Sequence, residues 1–283
     1  MKGHISKQEE IIPNMKTKEE LKDLVRAKYN QIALQTRSEN KTSCCGATGC
    51  CESVDYTIFS DDYTKLQGYA PDADLGLGCG IPTQFAMIRP GNTVIDLGSG
   101  AGNDAFVARA LTGAEGRVIG LDFAGAMLTK ARLNAASLGY TNVSFVKGDI
   151  EQMPFEDHLA DVVLSNCVLN LVPDKEKAFQ EIHRVLKPGG HFCISDVVTG
   201  GDLPEALLRS AEMYAGCVAG AIKKDEYLQI IRNVGFSEIQ IRKEKVIIIP
   251  DEIMAQYLDQ ESLQRFSHQG SGIMSITVTG VKR

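Results

Sequence analysis

Thr93-Val94-Ile95-Asp96-Leu97-Gly98-Ser99-Gly100-Ala101-Gly102 is the stretch that decides the fold. A short apolar run ends in an acid, three glycines follow at alternate positions, and Asn103 to Ala108 can open a helix. The pattern predicts a strand, a tight turn and a helix. Without Cβ atoms at 98, 100 and 102 the backbone can pass close to a nucleotide-like ligand. Tight turns with no ligand use glycine too, so this reading needs partners elsewhere in the chain.

Three further runs supply them. Arg117 to Asp122 ends in a carboxylate suited to a ribose diol, Val143 to Ile150 carries Asp149 near its end, and Asp161 to Asn166 stops at Asn166-Cys167. In an open α/β sheet ligands lie beyond the carboxyl ends of the strands, so these polar groups should converge on one crevice. Each acid alone is equally well a helix cap or a solvated loop residue. The spacing Gly-x-Gly-x-Gly differs from the Gly-x-Gly-x-x-Gly that brings a pyrophosphate to a helix, which disfavours a nicotinamide cofactor.

Asp96 to Gly102 resembles the first motif of the S-adenosylmethionine-dependent methyltransferases of the Rossmann-like class. The resemblance implies that Asp96, Gly98, Ser99, Gly100 and Gly102 form the cofactor turn and that Asp122 binds the ribose. It further implies that Asp149 and Ile150 flank the adenine, with Met127 and Asn166 completing the site. The implied fold is α/β, a Rossmann-like class I methyltransferase sheet with an antiparallel edge strand.

At 283 residues and 43% hydrophobic content the chain can build one large α/β core with an appendage. A net charge of -6 without a basic run argues against nucleic acid as partner. No stretch approaches the roughly 20 apolar residues of a membrane span, and Met1 to Asn14 is too polar for a secretory signal. The expected location is cytoplasmic, with no membrane partner.

The expected organisation has four parts. Residues 1–14 read as a disordered extension, and 15–90 as an N-terminal helix followed by a cysteine-rich loop or lid. Residues 91–200 form the cofactor-binding domain, and 201–283 a C-terminal part with the final strands. Thr17-Lys18-Glu19-Glu20 is a capping box opening a helix with Leu21, Leu24, Val25, Tyr29 and Ile32 on one face. Helices are also expected at 104–111, 127–138, from Pro173-Asp174 onward, 204–214 and 224–233. A fifth strand is expected at 191–198, with extended segments at 239–241 and 246–249 and a last strand at 275–281.

Eight cysteines are many for a chain kept in reducing conditions, where thiols serve metal binding or catalysis more than disulfides. Cys193, inside a strand, reads as a small buried hydrophobe. Cys79 in Gly76 to Pro82 is flanked by glycines that should leave its thiol unshielded and let the backbone approach another surface. Cys217 in Ala215 to Ala221 is again surrounded by small residues just after a helix, and Cys167 ends the fourth strand. Cys44-Cys45 and Cys50-Cys51 read either as a zinc loop, for which adjacent cysteines are awkward, or as a mobile thiol arm.

The segments 76–82, 165–175 and 214–221, with Tyr29 to Ala33 and Cys44-Cys45-Gly46, resemble the arsenite methyltransferases from about Leu21 to Phe236. By that resemblance Cys79, Cys167 and Cys217 are the catalytic thiols that bind arsenic(III), and Cys45 of the Cys44-Cys45 pair assists loading or redox cycling. Arsenite or its thiol conjugate is the implied substrate, and a thiol reductant, thioredoxin or glutathione, the co-substrate. Leu77 stands where some members carry an aromatic residue. Arsenic(III) is soft and prefers thiolates, and its lone pair loses no proton on methylation, so no general base is needed. Two other readings stay open on residues alone. One is methylation of carbon or oxygen in a small metabolite; the other is a metalloid-binding protein without catalysis.

Overall fold

The computed structural model describes residues 17–36, 60–204, 207, 220–248, 254–255, 258–262 and 272–283. Helix α1, Lys18–Ile32, starts where expected. Thr17 Oγ1 accepts the Glu20 amide at 3.2 Å and Glu20 returns the bond to the Thr17 amide at 2.7 Å, so two orphan donors of the first turn are satisfied reciprocally.

The chain then alternates strand and helix: β1 Thr93–Leu97, α2 Asn103–Thr112, β2 Arg117–Asp122, α3 Gly125–Ser137, β3 Val143–Lys147, β4 Ala160–Asn166, α4 Lys175–Val185 and β5 Leu186–Thr199. Helix α5, Lys224–Val234, and strands β6, Ser237–Val246, and β7, Ile273–Val281, follow. One seven-stranded sheet has the order β3-β2-β1-β4-β5-β7-β6. Neighbours from β3 to β5 are parallel, and β7 is antiparallel to both β5 and β6. The α/β sheet with an antiparallel strand is thus present, with β7 one place in from the edge.

Alternation along the strands sends side chains to two cores. Ile95 and Leu97 face the layer of Phe179, Phe192 and Tyr227 from α4, β5 and α5, while Val94 faces Phe106, Met127 and Leu128 of α2 and α3. Phe179 meets the rings of Phe192 and Tyr227 edge-on at 5.8 and 5.5 Å, and truncating such a buried ring costs about 3–5 kcal/mol.

Three local expectations change. The third run leaves the sheet at Lys147, and Asp149 and Ile150 lie on the turn beyond it. The fifth strand begins at Leu186, well before His191, because the chain passes directly from α4 into the sheet. The extended segment expected at 239–241 lies within the longer strand β6, whereas of that expected at 246–249 only Val246 lies in a strand; Ile247 and Ile248 follow its end and 249 is outside the described residues. Register shifts break the alternation of β6, and the charged run Arg242 to Lys245 suits an exposed sheet edge. The helix expected at 204–214 falls almost entirely outside the described residues.

Candidate active site

Strand order reverses between β1 and β4, and a crevice opens there at the carboxyl ends of the strands, as the topology requires. Gly98, Ser99 and Gly100 line it, together with Asp96, Asp104, Asp122 and Asp149. Gly98 and Gly100 have φ of 63° and 51°, a left-handed turn that residues with a Cβ adopt at a cost. A Cβ on Gly98 would lie 2.4 Å from Val168, whereas one on Gly100 would meet only Met127 Sδ at 4.0 Å. The first glycine is needed for packing. The second keeps a space open above the turn. Gly102 caps α2 with φ of 100° and packs on Phe106 and Phe145 rather than on the crevice.

The residues present fit S-adenosylmethionine. Asp96 Oδ2, Ser99 Oγ and Asn103 Oδ1 are buried, line the crevice and have no hydrogen-bond partner among the described residues, which is costly unless a ligand supplies one. Among the described residues six carboxylates, those of Asp61, Asp74, Asp96, Asp104, Asp122 and Asp149, line the crevice against one lysine, Lys22, a field that favours a cationic ligand. Burial, then the neighbouring charges of Asp104 and Asp122, push the Asp96 carboxyl well above its usual range. Asp104 is pushed up to about 6, chiefly by burial.

The remaining predicted cofactor residues gather around the same opening. Asp122 accepts the Ala124 amide at 2.8 Å and the Gly100 amide at 3.0 Å, so it braces the glycine turn while keeping acceptor capacity toward the crevice. Burial raises its pKa against the pull of these amides. Met127 and Ile150 are buried in the wall. Asp149 Oδ1 accepts the Glu151 amide at 2.9 Å, and its other oxygen pairs with Lys22 at 2.7 Å.

Lys22, Val25 and Tyr29 bring α1 over the crevice. Asn30 accepts the Ala126 amide at the start of α3 at 3.0 Å, and Lys130 donates to the carbonyls of Ala33 and Gln35. The sequence placed this helix on the main domain by its apolar face. Its polar contribution to the crevice was hidden, because Lys22 on a helix reads as a solvated charge.

Cys167 lines the crevice and is 3% exposed. Its φ of 60° is unusual for a residue with a side chain, a strain of about 1–3 kcal/mol that concentrates at functional sites. Its amide donates to the Ser195 carbonyl at 2.7 Å as the chain turns out of β4. Cys79 packs in the same apolar cluster, with Val25, Leu171 and Val197. Its amide donates to Asn166 Oδ1 at 3.0 Å, and its carbonyl accepts the Ser275 hydroxyl at 2.6 Å.

The glycines beside Cys79 do not leave it unshielded, as the sequence suggested; it is 1% exposed. A Cβ on Gly78 would lie 2.6 Å from Asn166 Nδ2, and one on Gly80 2.6 Å from Ser195 Oγ. They let the loop press onto β4 and β5. Cys193 is the buried hydrophobe expected, its thiol donating to the Pro82 carbonyl at 3.1 Å and its pKa raised by burial. Cys45, Cys217 and the other paired cysteines lie outside the described residues. Among the described residues no three His, Cys, Asp or Glu side chains group as a metal-ion site.

Tyr63, Asp74 and Asp104 were not anticipated. Asp104 follows the glycine turn and reads in sequence as a helix-start acid, yet it is 8% exposed and bonded to Tyr63 and Asn166. Tyr63 lies in a stretch without periodicity, where nothing in the sequence distinguishes it.

The reversed sheet, the glycine turn and the acid-lined crevice define a Rossmann-like methyltransferase. The chain belongs to the methyltransferase-domain family, whose pattern matches residues 88–235. Within that family its relatives include arsenite methyltransferases. The enzyme of that name from Halobacterium salinarum is 40% identical over 235 residues, covering 79% of this chain and 59% of that protein. The human one is 32% identical over 198 residues, 63% of this chain and 52% of its own length. The crystal structure of an arsenic(III) S-adenosylmethionine methyltransferase from Chlamydomonas reinhardtii is 33% identical, with a TM-score of 0.60 over 73% of this chain and 67% of that one. The chain therefore spans between about half and two thirds of the length of these relatives. Among the described residues no helix is long and apolar enough to cross a membrane.

Proposed function

We propose that this chain methylates arsenic(III), using S-adenosylmethionine and the thiolates of Cys79, Cys167 and Cys217. The observation that carries the reading is the burial of Cys79 and Cys167 in one cluster at the crevice, with the Cys79 amide bonded to the residue preceding Cys167. The names of the relatives support the same substrate.

When bound, S-adenosylmethionine supplies a methyl group activated by positive sulfur. Asp96, Ser99 and Asn103 offer it unspent acceptors, Asp122 takes the ribose, Asp149 and Ile150 flank the adenine, and the acidic wall favours its charge. The cysteines hold the substrate. Each thiol displaces one hydroxyl from arsenite and gives it the proton, so water leaves and arsenic keeps its lone pair as nucleophile. No proton leaves that lone pair, so the transfer step needs no general base. Alignment of nucleophile and methyl donor is the protein's main contribution, on the order of 7–11 kcal/mol in favourable cases.

Methylation takes arsenic from the trivalent to the pentavalent state, so a two-electron thiol reductant, thioredoxin or glutathione, closes the cycle. Cys45 assists that step or the loading of arsenite. A reducing compartment such as the cytoplasm suits this chemistry.

The test is methyl transfer from labelled S-adenosylmethionine to arsenite with a thiol reductant, in the wild type and in Cys79→Ser, Cys167→Ser and Cys217→Ser. Each variant should fall to background. Undiminished turnover in Cys167→Ser and Cys217→Ser points to an organic acceptor. Arsenite binding by calorimetry without S-adenosylmethionine binding points to a binding protein.

A further inference from the structure

The wall between the cofactor turn and the cysteine loop is a closed polar set. Tyr63 Oη lies 2.9 Å from the Gly80 carbonyl and 2.9 and 3.1 Å from the two Asp104 oxygens. Asn166 Nδ2 lies 2.8 Å from Tyr63 Oη, 2.9 Å from the Gly80 carbonyl and 2.9 Å from Asp104 Oδ2. Its Oδ1 accepts the Cys79 amide. Tyr63 is 3% exposed, and its ring packs with Ile81 and Val107, so the hydroxyl is fixed by apolar contacts on one side. Asp104 sits in the first turn of α2, directly after the glycine turn, and shares the crevice with Asp96.

We propose that Tyr63, with Asp104, is a positioning pair that couples occupancy of the cofactor crevice to the placement of the Cys79 loop. The inference rests on the cofactor reading above. Asp96 and Asp104 are both buried in the wall of the same crevice, 2% and 8% exposed, and their charges oppose each other. A cationic ligand in the crevice offsets that repulsion and favours ionised Asp104. An ionised acceptor makes the stronger, charge-assisted hydrogen bond to the Tyr63 hydroxyl. Tyr63 then donates to Asp104, and the two Asn166 amide protons serve the Gly80 carbonyl and either Tyr63 or Asp104. The Gly78-Cys79-Gly80 loop is thereby held from its carbonyl and its amide at once. Methyl donor binding and thiol placement become one event.

Hydrogen exchange of the full chain, read by mass spectrometry with and without S-adenosylmethionine and with no arsenite, tests this. In the wild type the cofactor should slow exchange in the peptide 98–106 and, by roughly tenfold, in the peptide 76–82. Tyr63→Phe keeps the ring and removes only the hydroxyl; Asp104→Asn keeps the shape and removes the charge. In both, the cofactor-dependent protection of 76–82 should disappear at saturating S-adenosylmethionine; in Tyr63→Phe, which leaves every crevice carboxylate in place, protection of 98–106 should persist. Equal protection of 76–82 in wild type and both variants, or none in the wild type while 98–106 is protected, overturns the coupling. No protection at 98–106 in the wild type overturns the cofactor reading itself, and the coupling with it.

Discussion

The amide of Cys79 donates to the side chain of Asn166 at 3.0 Å, a bond between residues 87 apart in the chain. Asn166 adjoins Cys167, so one side chain fixes the loop of one cysteine against the backbone of another. Asn166→Ala leaves the Cys79 amide, the Gly80 carbonyl and Asp104 short of partners in a buried wall. Each such loss costs about 1–3 kcal/mol. Urea denaturation should show a fall of at least about 2 kcal/mol. Methyl transfer should fall further than stability alone explains, because the cysteine loop is displaced. Wild-type stability in this variant removes the structural basis of the argument.

Gly98 and Gly100 share a left-handed backbone but differ in what stands over them. Alanine in that conformation costs about 1–2 kcal/mol at either site. At Gly98 the new methyl would also collide with Val168 at 2.4 Å, so Gly98→Ala should lower the melting temperature sharply. At Gly100 it projects into open crevice. Gly100→Ala should lose little beyond the backbone cost, yet weaken S-adenosylmethionine binding by calorimetry at least about tenfold. Reversed effects place the ligand elsewhere.

Lys22 of α1 pairs with Asp149 at 2.7 Å and with Glu151, whose side chain is only 8% exposed. The lysine side chain is 14% exposed and that of Asp149 46% exposed, so removing the lysine leaves chiefly the buried Glu151 uncompensated, at about 1–3 kcal/mol. Lys22→Met should therefore destabilise the protein, and Lys22→Arg should restore most of the loss. Cofactor affinity should fall with it, since Asp149 loses its anchor. Indifference of both quantities to Lys22→Met makes α1 a passive cover.

The sheet was legible because its signals are local: apolar runs of strand length, each ending in a polar residue, and a capping box satisfied bond for bond in α1. The crevice followed from those strand ends. What stayed hidden depends on distant partners. Tyr63 and Asp104 meet across 41 residues, and neither spacing nor composition encodes that contact. The reading of the glycines around Cys79 was right about close approach to another surface and wrong about an unshielded thiol, for a related reason. Glycine signals close approach, but the sequence does not say whether solvent or another backbone does the approaching; here it is β4 and β5. The register shifts of β6 hid its full length, since bulges break the alternation by which strands are read.

Asp196, toward the carboxyl end of β5, is fully buried and unused by the proposed chemistry. The Tyr227 hydroxyl donates to it at 3.1 Å and the Val197 amide at 3.1 Å, and the charge of buried Lys175 pulls its pKa down. Burial outweighs these and pushes the carboxyl up to about 7, against about 3.9 in the unfolded chain. Between those values the folded state holds a proton that the unfolded state has released. The stabilisation is complete below about pH 4 and is lost as pH rises through about 7, a swing on the order of 4 kcal/mol. Asp157, Asp174 and Glu181, whose carboxyls are lowered by Arg184 or Lys18, act with the opposite sign and below this window. Asp104 and Asp122 share the sign of Asp196, so the wild-type slope alone does not isolate it. The difference between wild type and Asp196→Asn does, because asparagine keeps the shape and does not titrate. Urea denaturation at intervals from pH 4 to 8 should show the wild type losing stability relative to Asp196→Asn as pH rises, most steeply between about 5 and 7. Parallel curves would mean that Lys175 holds Asp196 ionised throughout, a buried ion pair in place of a protonated acid.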